Sequence, residues 1–262
     1  MSSSNDIDLV MPNVNLLILI AVLLPPKALD VLGPVVEERT LQTPYGDFGP
    51  LALRMAPGQP AVWVGPYTGL PSRTDPRATL FAAGMLGLQR VLTWDEGIGL
   101  NLTLRRGQTT IATDYMDWTR HQPATFFMDK HLSLISEPGT ERRLPIPPFC
   151  SQMTAALRAI LPLAPEVVYV GVDGPRRETA AEARMFRLLG ADVLGCNLTP
   201  EVALANELGI CYAGLVTVSE RSADQPMTAP QGELRMGLEA TLQALPALLL
   251  QMDALPECGC AQ

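Results

Sequence analysis

The chain has 262 residues, of which 47% are hydrophobic, and a net charge of −8 at pH 7. This length fits one large α/β domain as well as two small ones, and the acidic balance argues against a nucleic-acid surface, which needs clustered lysines and arginines. The first long apolar stretch, residues 16–24, is shorter than a membrane-spanning helix and follows acidic rather than basic residues. We therefore interpret it as a buried strand, and we expect a cytoplasmic protein that does not bind a membrane.

Six apolar runs predict β-strands, and most of them are continuous rather than alternating in polarity. Continuous apolar strands separated by helices indicate a largely parallel sheet that is covered on both faces. We therefore predict a three-layer, single-domain α/β fold with a central mixed, largely parallel sheet flanked by helices. Ligands of such sheets bind at the carboxyl ends of the strands, so the following loops are candidate sites. The predicted strands are 16–24, 61–64, 91–94, 109–113, 167–172 and 212–218.

Capping residues predict where helices begin. Asp75 is a good N-cap, with Pro76 at the first helical position and Gly87 just past the end. Thr199 is predicted to cap a helix in the same way, with Pro200 next and Gly209 as the stop. The segment 179–182 predicts a capping box, in which a threonine and a glutamate satisfy each other's free amides.

A long C-terminal helical region is predicted between residues 232 and 255, where Pro246 should kink or split the helix. No boundary of a second domain is visible in the sequence. The predicted division is a flexible tail over residues 1–13, a single domain over 14–256 and a C-terminal tail over 257–262.

The five cysteines do not form a disulfide framework. Cys150, Cys196 and Cys211 lie in apolar contexts, where cysteine usually acts as a small hydrophobic residue. Cys258 and Cys260 form a C-terminal Cys-Gly-Cys, and two cysteines are too few for a zinc site by themselves. No metal site is predicted, and a redox-labile pair and two free thiols both remain open.

Six segments of the chain occur in the order and at the spacing of a known family. Together they resemble the trimeric purine nucleoside phosphorylase family, and within it the methylthioadenosine phosphorylase branch. The resemblance implies a homotrimer that splits the N-glycosidic bond of a purine nucleoside with phosphate and without a resident cofactor. It also implies that the terminal Cys-x-Cys can form a disulfide, as in heat-stable members. The six segments are 43–46, 114–127, 147–150, 174–195, 199–213 and 258–260.

The elements with which this family binds phosphate differ in this chain. A Gly-rich loop follows the first strand in the family, whereas residues 21–27 contain no glycine and include two prolines, which lack an amide hydrogen. The family's Arg-His-Gly segment is replaced by residues 65–73, in which Tyr67 and Thr68 are polar candidates. Arg77 matches a family arginine and is a further candidate for binding an anion.

Asp95 and Glu96 stand where the family has Ser or Thr followed by Ala. Two negative charges 4 Å apart repel each other by about 4 kcal/mol at an effective dielectric constant of about 20, which is about a thousandfold in affinity. If both carboxylates stay ionised, the sequence argues against phosphate as a co-substrate. In the alternative, one carboxylate faces solvent or pairs with Arg73 or Arg77.

The residues expected around the nucleoside are also partly changed. Glu178 matches a carboxylate that 6-oxopurine members place at the base edge. Glu220 matches the Asp or Asn that meets the purine N7, and we predict that burial makes it the acid for this nitrogen. His121 is expected at the surface. The remaining substitutions are Arg177 for the stacking aromatic, Cys196 for the ribose methionine, Asn197 for a phosphate-touching threonine, and Ser222 for a second acid, with Asp224 close enough to replace it.

Three functions remain open from the sequence. In the first, the protein still cleaves purine nucleosides with impaired phosphorolysis, and Asp95 or Glu96 activates water in place of phosphate. In the second, it is a non-catalytic homologue that binds a nucleoside or serves as a structural or regulatory subunit, alone or in a mixed oligomer with an active paralogue. In the third, it has a different ligand, and the two carboxylates face a cation or a sugar.

Overall fold

The computed structural model describes residues 14–25, 27–66, 75–126, 147–226, 232–258 and 260. These residues form nine strands, five α-helices and one short 3-10 helix, Ala28–Leu32. The strands are β1 (Leu16–Ala21), β2 (Val35–Thr43), β3 (Gly46–Arg54), β4 (Val62–Pro66), β5 (Arg90–Gly99), β6 (Thr109–Asp117), β7 (Glu166–Gly171), β8 (Val193–Gly195) and β9 (Cys211–Arg221). The helices are α1 (Pro76–Met85), α2 (Ser151–Ile160), α3 (Ala180–Leu188), α4 (Glu201–Glu207) and α5 (Gly232–Asp253).

All nine strands belong to one mixed sheet with the order β2-β3-β4-β1-β5-β8-β7-β6-β9. Strand β5 also pairs with β9, so the last five strands of this order close into a ring. The pairs β1–β4, β1–β5, β5–β9, β6–β7 and β7–β8 are parallel, whereas the pairs β2–β3, β3–β4, β5–β8 and β6–β9 are antiparallel. This arrangement confirms the predicted α/β fold with a central mixed sheet.

Two apolar layers cover the two faces of the sheet, which explains why the strands are apolar throughout. In β1, Leu17 faces a cluster that includes residues of α1 and α4, and the next residue, Ile18, faces a second cluster that includes residues of α2 and α5. Because successive side chains of a strand point to opposite faces, both sets must be apolar when both faces are covered. The predicted three layers are therefore present.

Strands β2, β3 and β8 were not predicted from the sequence. Strands β2 and β3 form an antiparallel hairpin at the sheet edge, and most of the side chains of β2 are exposed or half-buried. An edge strand without a buried face produces no apolar run, so this hairpin leaves no such pattern. Strand β8 has only three residues and is too short for a periodicity to appear.

Strands β5 and β9 extend well beyond the predicted segments 91–94 and 212–218. Asp95 and Glu96 therefore lie inside β5, and Glu220 lies inside β9, rather than in loops after these strands. The pairing of β5 with β9 places Asp95 opposite Val216 and Ile98 opposite Glu220. The expectation that loops after Trp94 and Val218 carry these groups was wrong.

Two of the three predicted helix starts are confirmed. The side chain of Asp75 accepts a hydrogen bond from the Arg77 amide, and Thr179 and Glu182 form both bonds of a capping box. The Thr199 cap was wrong: Pro200 is the N-cap residue of α4, and no side chain caps this helix. The Thr199 hydroxyl is instead packed against Gly171 of β7, where even a Cβ atom would have no room.

The C-terminal helix was expected to kink or split at Pro246. Helix α5 is continuous over Gly232–Asp253 with Pro246 inside it, so it is not split there. None of the helices in the described ranges is long and apolar enough to cross a membrane. The predicted N-terminal tail over 1–13 lies outside the described residues.

The capping box of α3 gives a first testable prediction. We expect Thr179→Ala to lower the free energy of unfolding by about 1 kcal/mol, because the Glu182 amide loses its acceptor. Urea unfolding measures this change, with Thr179→Ser as the control because serine keeps the capping hydroxyl. An equal loss in both variants would show that the hydroxyl does not stabilise the helix.

Candidate active site

Asp95 is a fully buried carboxylate at the carboxyl end of the parallel strands, with no exposed surface. Its Oδ1 accepts hydrogen bonds from the Glu96 amide at 2.9 Å and from Asn197 Nδ2 at 2.7 Å. Its Oδ2 accepts from the Tyr169 hydroxyl at 2.9 Å and from the Asn197 amide at 3.2 Å. Four donors from three residues therefore converge on one carboxylate, and we call this group the Asp95 network.

Burial raises the pKa of Asp95 to about 6, and the hydrogen bonds from Asn197 and Tyr169 act in the opposite direction. The carboxylate is therefore mostly ionised at pH 7. A glycine at position 195 makes room for it, because a Cβ atom there would lie 2.7 Å from Asp95 Oδ2 and 2.5 Å from the Tyr169 hydroxyl. Sequence reasoning missed Tyr169, which stands inside an apolar strand and looks like a core residue.

The Asp95 network changes the expected roles of two residues. Asn197 replaces the family's phosphate-touching threonine, and its amide and its side-chain Nδ2 both donate to Asp95. The alternative that one carboxylate pairs with Arg77 is not met: Arg77 binds Asp75 at 2.7 Å and lies over the ring of Tyr45. The other alternative, that one carboxylate faces solvent, holds for Glu96, which is exposed. Tyr67, Thr68 and Arg73 lie outside the described residues.

Glu96, the next residue of β5, is exposed and lines a cavity of about 450 Å³ between the end of β1 and the 3-10 helix. Lys27 and Arg54 line the same cavity, so it carries both signs of charge. The Arg54 guanidinium also donates to the carbonyls of Leu29 and Gly33. The pKa of Glu96 is raised by partial burial and by the neighbouring carboxylate of Glu220. Glu96 therefore lies between a neighbouring carboxylate and the two cationic side chains of the cavity.

Arg177, Glu178 and Glu220 form a second group, which we call the Arg177 cluster. Arg177 Nη1 lies 2.5 Å from Glu220 Oε2, and its Nη2 donates to the Arg221 carbonyl at 2.8 Å. The Glu178 side chain is only 2% exposed. Its Oε1 accepts from the Ala223 amide at 2.7 Å, whereas its Oε2 has no hydrogen-bond partner within the described part of the chain. A buried carboxylate oxygen of this kind is available to a ligand.

Glu220 was predicted to be buried and therefore to act as an acid, but it is not buried. The Glu220 side chain is 51% exposed and is paired with Arg177. The two residues expected to stack on the base and to protonate it are therefore bonded to each other. Either role requires that this ion pair opens.

Ser222 and Asp224 were expected near the purine, but both bind Arg187 of α3. The guanidinium lies 3.0 Å from each Asp224 oxygen and 3.1 Å from the Ser222 hydroxyl, and it also donates to the Leu100 carbonyl. The Arg187 guanidinium holds the pKa of Asp224 well below its usual range. This ion pair fastens the end of β9 to α3, and nothing in the sequence pattern distinguishes Arg187 from an ordinary helix arginine.

A second cavity, of about 210 Å³, opens beside the end of β7 and is lined by Asp173, Glu178 and the exposed His121. Cys196 lies nearby, because a Cβ atom at Gly174 would come within 3.2 Å of its Sγ. Burial, together with the charge of Asp95, raises the pKa of Cys196 to about 12. Its thiol is therefore neutral at pH 7, as expected for a residue that packs rather than reacts.

The closed, mixed sheet with a charged site at the carboxyl end of its parallel strands defines an α/β protein of the nucleoside phosphorylase fold. Residues 19–250 match the phosphorylase superfamily. The chain belongs to this family.

Curated relatives agree with this assignment. The chain is 31% identical over 240 residues to the S-methyl-5'-thioadenosine phosphorylase of Pyrococcus furiosus, which covers 86% of this chain and 90% of the relative. It is also 30% identical over 201 residues to the 6-oxopurine nucleoside phosphorylase of the same organism, over 71% of this chain and 73% of the relative.

Solved structures show the same fold at lower identity. Methylthioadenosine phosphorylase from Schistosoma mansoni, in complex with tubercidin, superimposes with a TM-score of 0.79 at 22% identity and covers 93% of each chain. A variant of the same enzyme in complex with methylthioadenosine gives a TM-score of 0.77 at 22% identity.

Proposed function

We propose that the protein binds a purine nucleoside at the Arg177 cluster and that phosphorolysis of its glycosidic bond is impaired or lost. One observation carries the second half of this proposal: the buried carboxylate of Asp95 occupies the donors of the Glu96 amide and of Asn197. In the family that the sequence resembles, a small hydroxyl residue at position 95 contacts phosphate. Here an internal anion takes its place.

The charge of Asp95 opposes phosphate for two reasons. The groups that donate hydrogen bonds to Asp95 are already paired with it, so phosphate would have to displace this carboxylate to reach them. An anion that shared these donors would also lie about 4 Å from the carboxylate, where repulsion costs about 4 kcal/mol at an effective dielectric constant of about 20. The neighbouring charge of Glu96 adds to this repulsion.

The first half of the proposal rests on Glu178 and on the relatives. The free Oε2 of Glu178 is a buried acceptor that suits an N–H group of a purine. Relatives are named for S-methyl-5'-thioadenosine and 6-oxopurine nucleosides, and solved neighbours contain tubercidin and methylthioadenosine. A purine nucleoside is the ligand class common to all of them.

The role of Glu178 gives a second prediction. We expect Glu178→Gln to weaken nucleoside binding by about 10- to 100-fold, because a hydrogen bond to a charged group contributes about 1.5–3 kcal/mol. Calorimetric titration with methylthioadenosine and with inosine measures the change. Glu239→Gln, an exposed change on α5, is the control. Equal affinities in the two variants would remove Glu178 from the binding site.

Release of base from methylthioadenosine, adenosine, inosine and guanosine, with and without phosphate, tests the catalytic half. We expect phosphate not to accelerate release. A rate that rises with phosphate and yields a pentose 1-phosphate would overturn the proposal. If Lys27→Ala then abolished that rate, Lys27 would be the residue that supplies the charge for phosphate.

Glu96 supports a second candidate function, a phosphate-independent nucleoside hydrolase. Its exposed carboxylate lines the larger cavity and has a raised pKa, which suits a general base for water. This function requires that free pentose forms without phosphate and that Glu96→Gln abolishes its formation. If no base is released under any condition, a non-catalytic nucleoside-binding subunit is the remaining proposal.

The oligomeric state and the compartment also remain proposals. We propose a homotrimer, on the strength of the family resemblance, in the cytoplasm. Native mass spectrometry of the protein alone measures the oligomeric state. The same measurement after mixing with a paralogue detects a mixed oligomer.

A further inference from the structure

Four of the five cysteines meet at one place, beside the first residues of the β5–β9 pair, whereas Asp95 lies further along β5. The Sγ atoms of Cys150, Cys211, Cys258 and Cys260 all lie within 4.8 Å of one another. The Cys150–Cys258 and Cys258–Cys260 sulfur distances are 3.5 Å and 3.3 Å. We propose that these four thiolates bind one Zn²⁺ ion, which fastens the C-terminal tail to the core.

The geometry of the cluster suits a tetrahedral ion. Zinc lies about 2.3 Å from each thiolate sulfur in such sites, which places the sulfurs about 3.8 Å from one another. The Cys258–Cys260 separation of 3.3 Å and the upper limit of 4.8 Å for all pairs bracket this value. Four sulfur ligands leave no open position, so the site is structural rather than catalytic.

Two of the ligands are held by the core before any metal binds. Cys150 is the N-cap residue of α2, and its amide donates to the Tyr212 carbonyl at 2.8 Å. Cys211 begins β9, and its amide donates to the Gln89 carbonyl at 2.9 Å. Both side chains are buried. Half of the site is therefore rigid and requires little ordering on binding.

A buried arginine brings the other two ligands into place. Arg90 Nη2 donates to the carbonyls of Leu255 and Pro256 at 3.0 Å and 2.9 Å. These residues lead directly into Cys258 and Cys260, so the arginine fixes the start of the tail. Arg90 is also the register partner of Cys211 in the β5–β9 pair.

The positive end of a helix adjoins the cluster. Zinc and four thiolates carry a net charge of −2, which the positive end of a helix favours. Cys150, at the N-terminus of α2, lies at such an end. Binding exchanges thiol protons, which pass to solvent, for one metal ion, so no oxidant is needed.

No metal site was predicted from the sequence because only Cys258 and Cys260 are close together in the chain. Cys150 and Cys211 are far from them in sequence, and each looks like a small residue of an apolar core. The two pairs come together because α5 returns the chain to the start of β9. This site lies apart from the Asp95 network and does not depend on the proposed function.

Metal analysis of the full chain tests this inference. Protein purified with a phosphine reductant and exposed to Zn²⁺, then freed of excess metal, is expected to retain about one zinc per chain. Cys211→Ser, and separately the double change Cys258→Ser with Cys260→Ser, should each reduce the zinc content at least tenfold. Cys196→Ser is the matched control, because Cys196 is the one cysteine outside the cluster, and it should retain the metal.

A second measurement keeps the test valid if Cys211→Ser does not fold. Co²⁺ in place of Zn²⁺ should give the visible absorption of a tetrahedral thiolate complex in the parent protein and not in the tail variant. Removal of zinc with a chelator should lower the thermal unfolding midpoint of the parent by several degrees and leave the tail variant unchanged.

Two results would overturn the inference. One is reduced protein that retains no zinc and shows no cobalt spectrum. The other is protein whose cluster thiols are already joined in disulfides as purified, which is seen as a mass lower by about two hydrogens per bond and as thiols that react only after reduction. Zinc retained equally by the tail variant would likewise contradict the role of Cys258 and Cys260.

Discussion

Replacing Asp95 with serine and Glu96 with alanine is expected to raise the affinity for inorganic phosphate by up to about a thousandfold. The double change removes the internal carboxylate that occupies the Glu96 and Asn197 donors, and it restores the residue types that the family has at these two positions. The repulsion between one carboxylate charge and a phosphate charge about 4 Å away is about 4 kcal/mol. Its removal corresponds to about three orders of magnitude in affinity.

Calorimetric or phosphorus NMR titration with phosphate at constant ionic strength measures this gain in phosphate affinity. The control is Asp253→Ser with Glu239→Ala, which removes the same charge from exposed positions on α5. Asp95→Asn serves as a second variant if the serine leaves the buried donors too poorly satisfied for folding. If the site variants bind phosphate no better than the control, the Asp95 charge does not exclude phosphate.

Asp95 is also expected to make the protein less stable as the pH rises. Burial raises the pKa of Asp95 from 3.8 to about 6, so between these values the folded state binds more protons than the unfolded chain. The free energy of unfolding therefore decreases as the pH rises through this interval, by about 3 kcal/mol from this group. The contribution is fully present below pH 4 and is lost above pH 6.

Urea unfolding between pH 4 and pH 7 measures this decrease. Other carboxylates contribute to the same curve, among them Asp224, whose pKa is lowered and whose effect has the opposite sign. Asp95→Asn isolates the Asp95 part, because asparagine does not titrate, and the difference between the two curves should change by about 3 kcal/mol over this range. Parallel curves for the parent and the variant would contradict the raised pKa.

Much of the fold was predictable because its causes are local in the sequence. Continuous apolar strands required two covered faces, and the capping residues Asp75 and Thr179 marked helix starts that the structure confirms. Thr199 has the same pattern but does not cap, because its hydroxyl packs against Gly171. Tertiary packing decided that case, and no local pattern reports it.

The candidate site was predictable in its location but not in its internal bonds. Asp95, Glu178 and Glu220 do lie near the carboxyl ends of the strands. Their partners come from distant parts of the chain: Tyr169 on Asp95, and Arg177 on Glu220. The cysteine cluster was missed for the same reason, since four residues from three segments meet only after folding.

A crystal structure of the protein soaked with a purine nucleoside and phosphate tests the central claim most directly. We predict a nucleoside whose base contacts Glu178, an Asp95 carboxylate that keeps its bonds to Glu96, Tyr169 and Asn197, and no phosphate on these donors. A phosphate ion bound to the Glu96 amide, with the Asp95 side chain rotated away, would contradict the account.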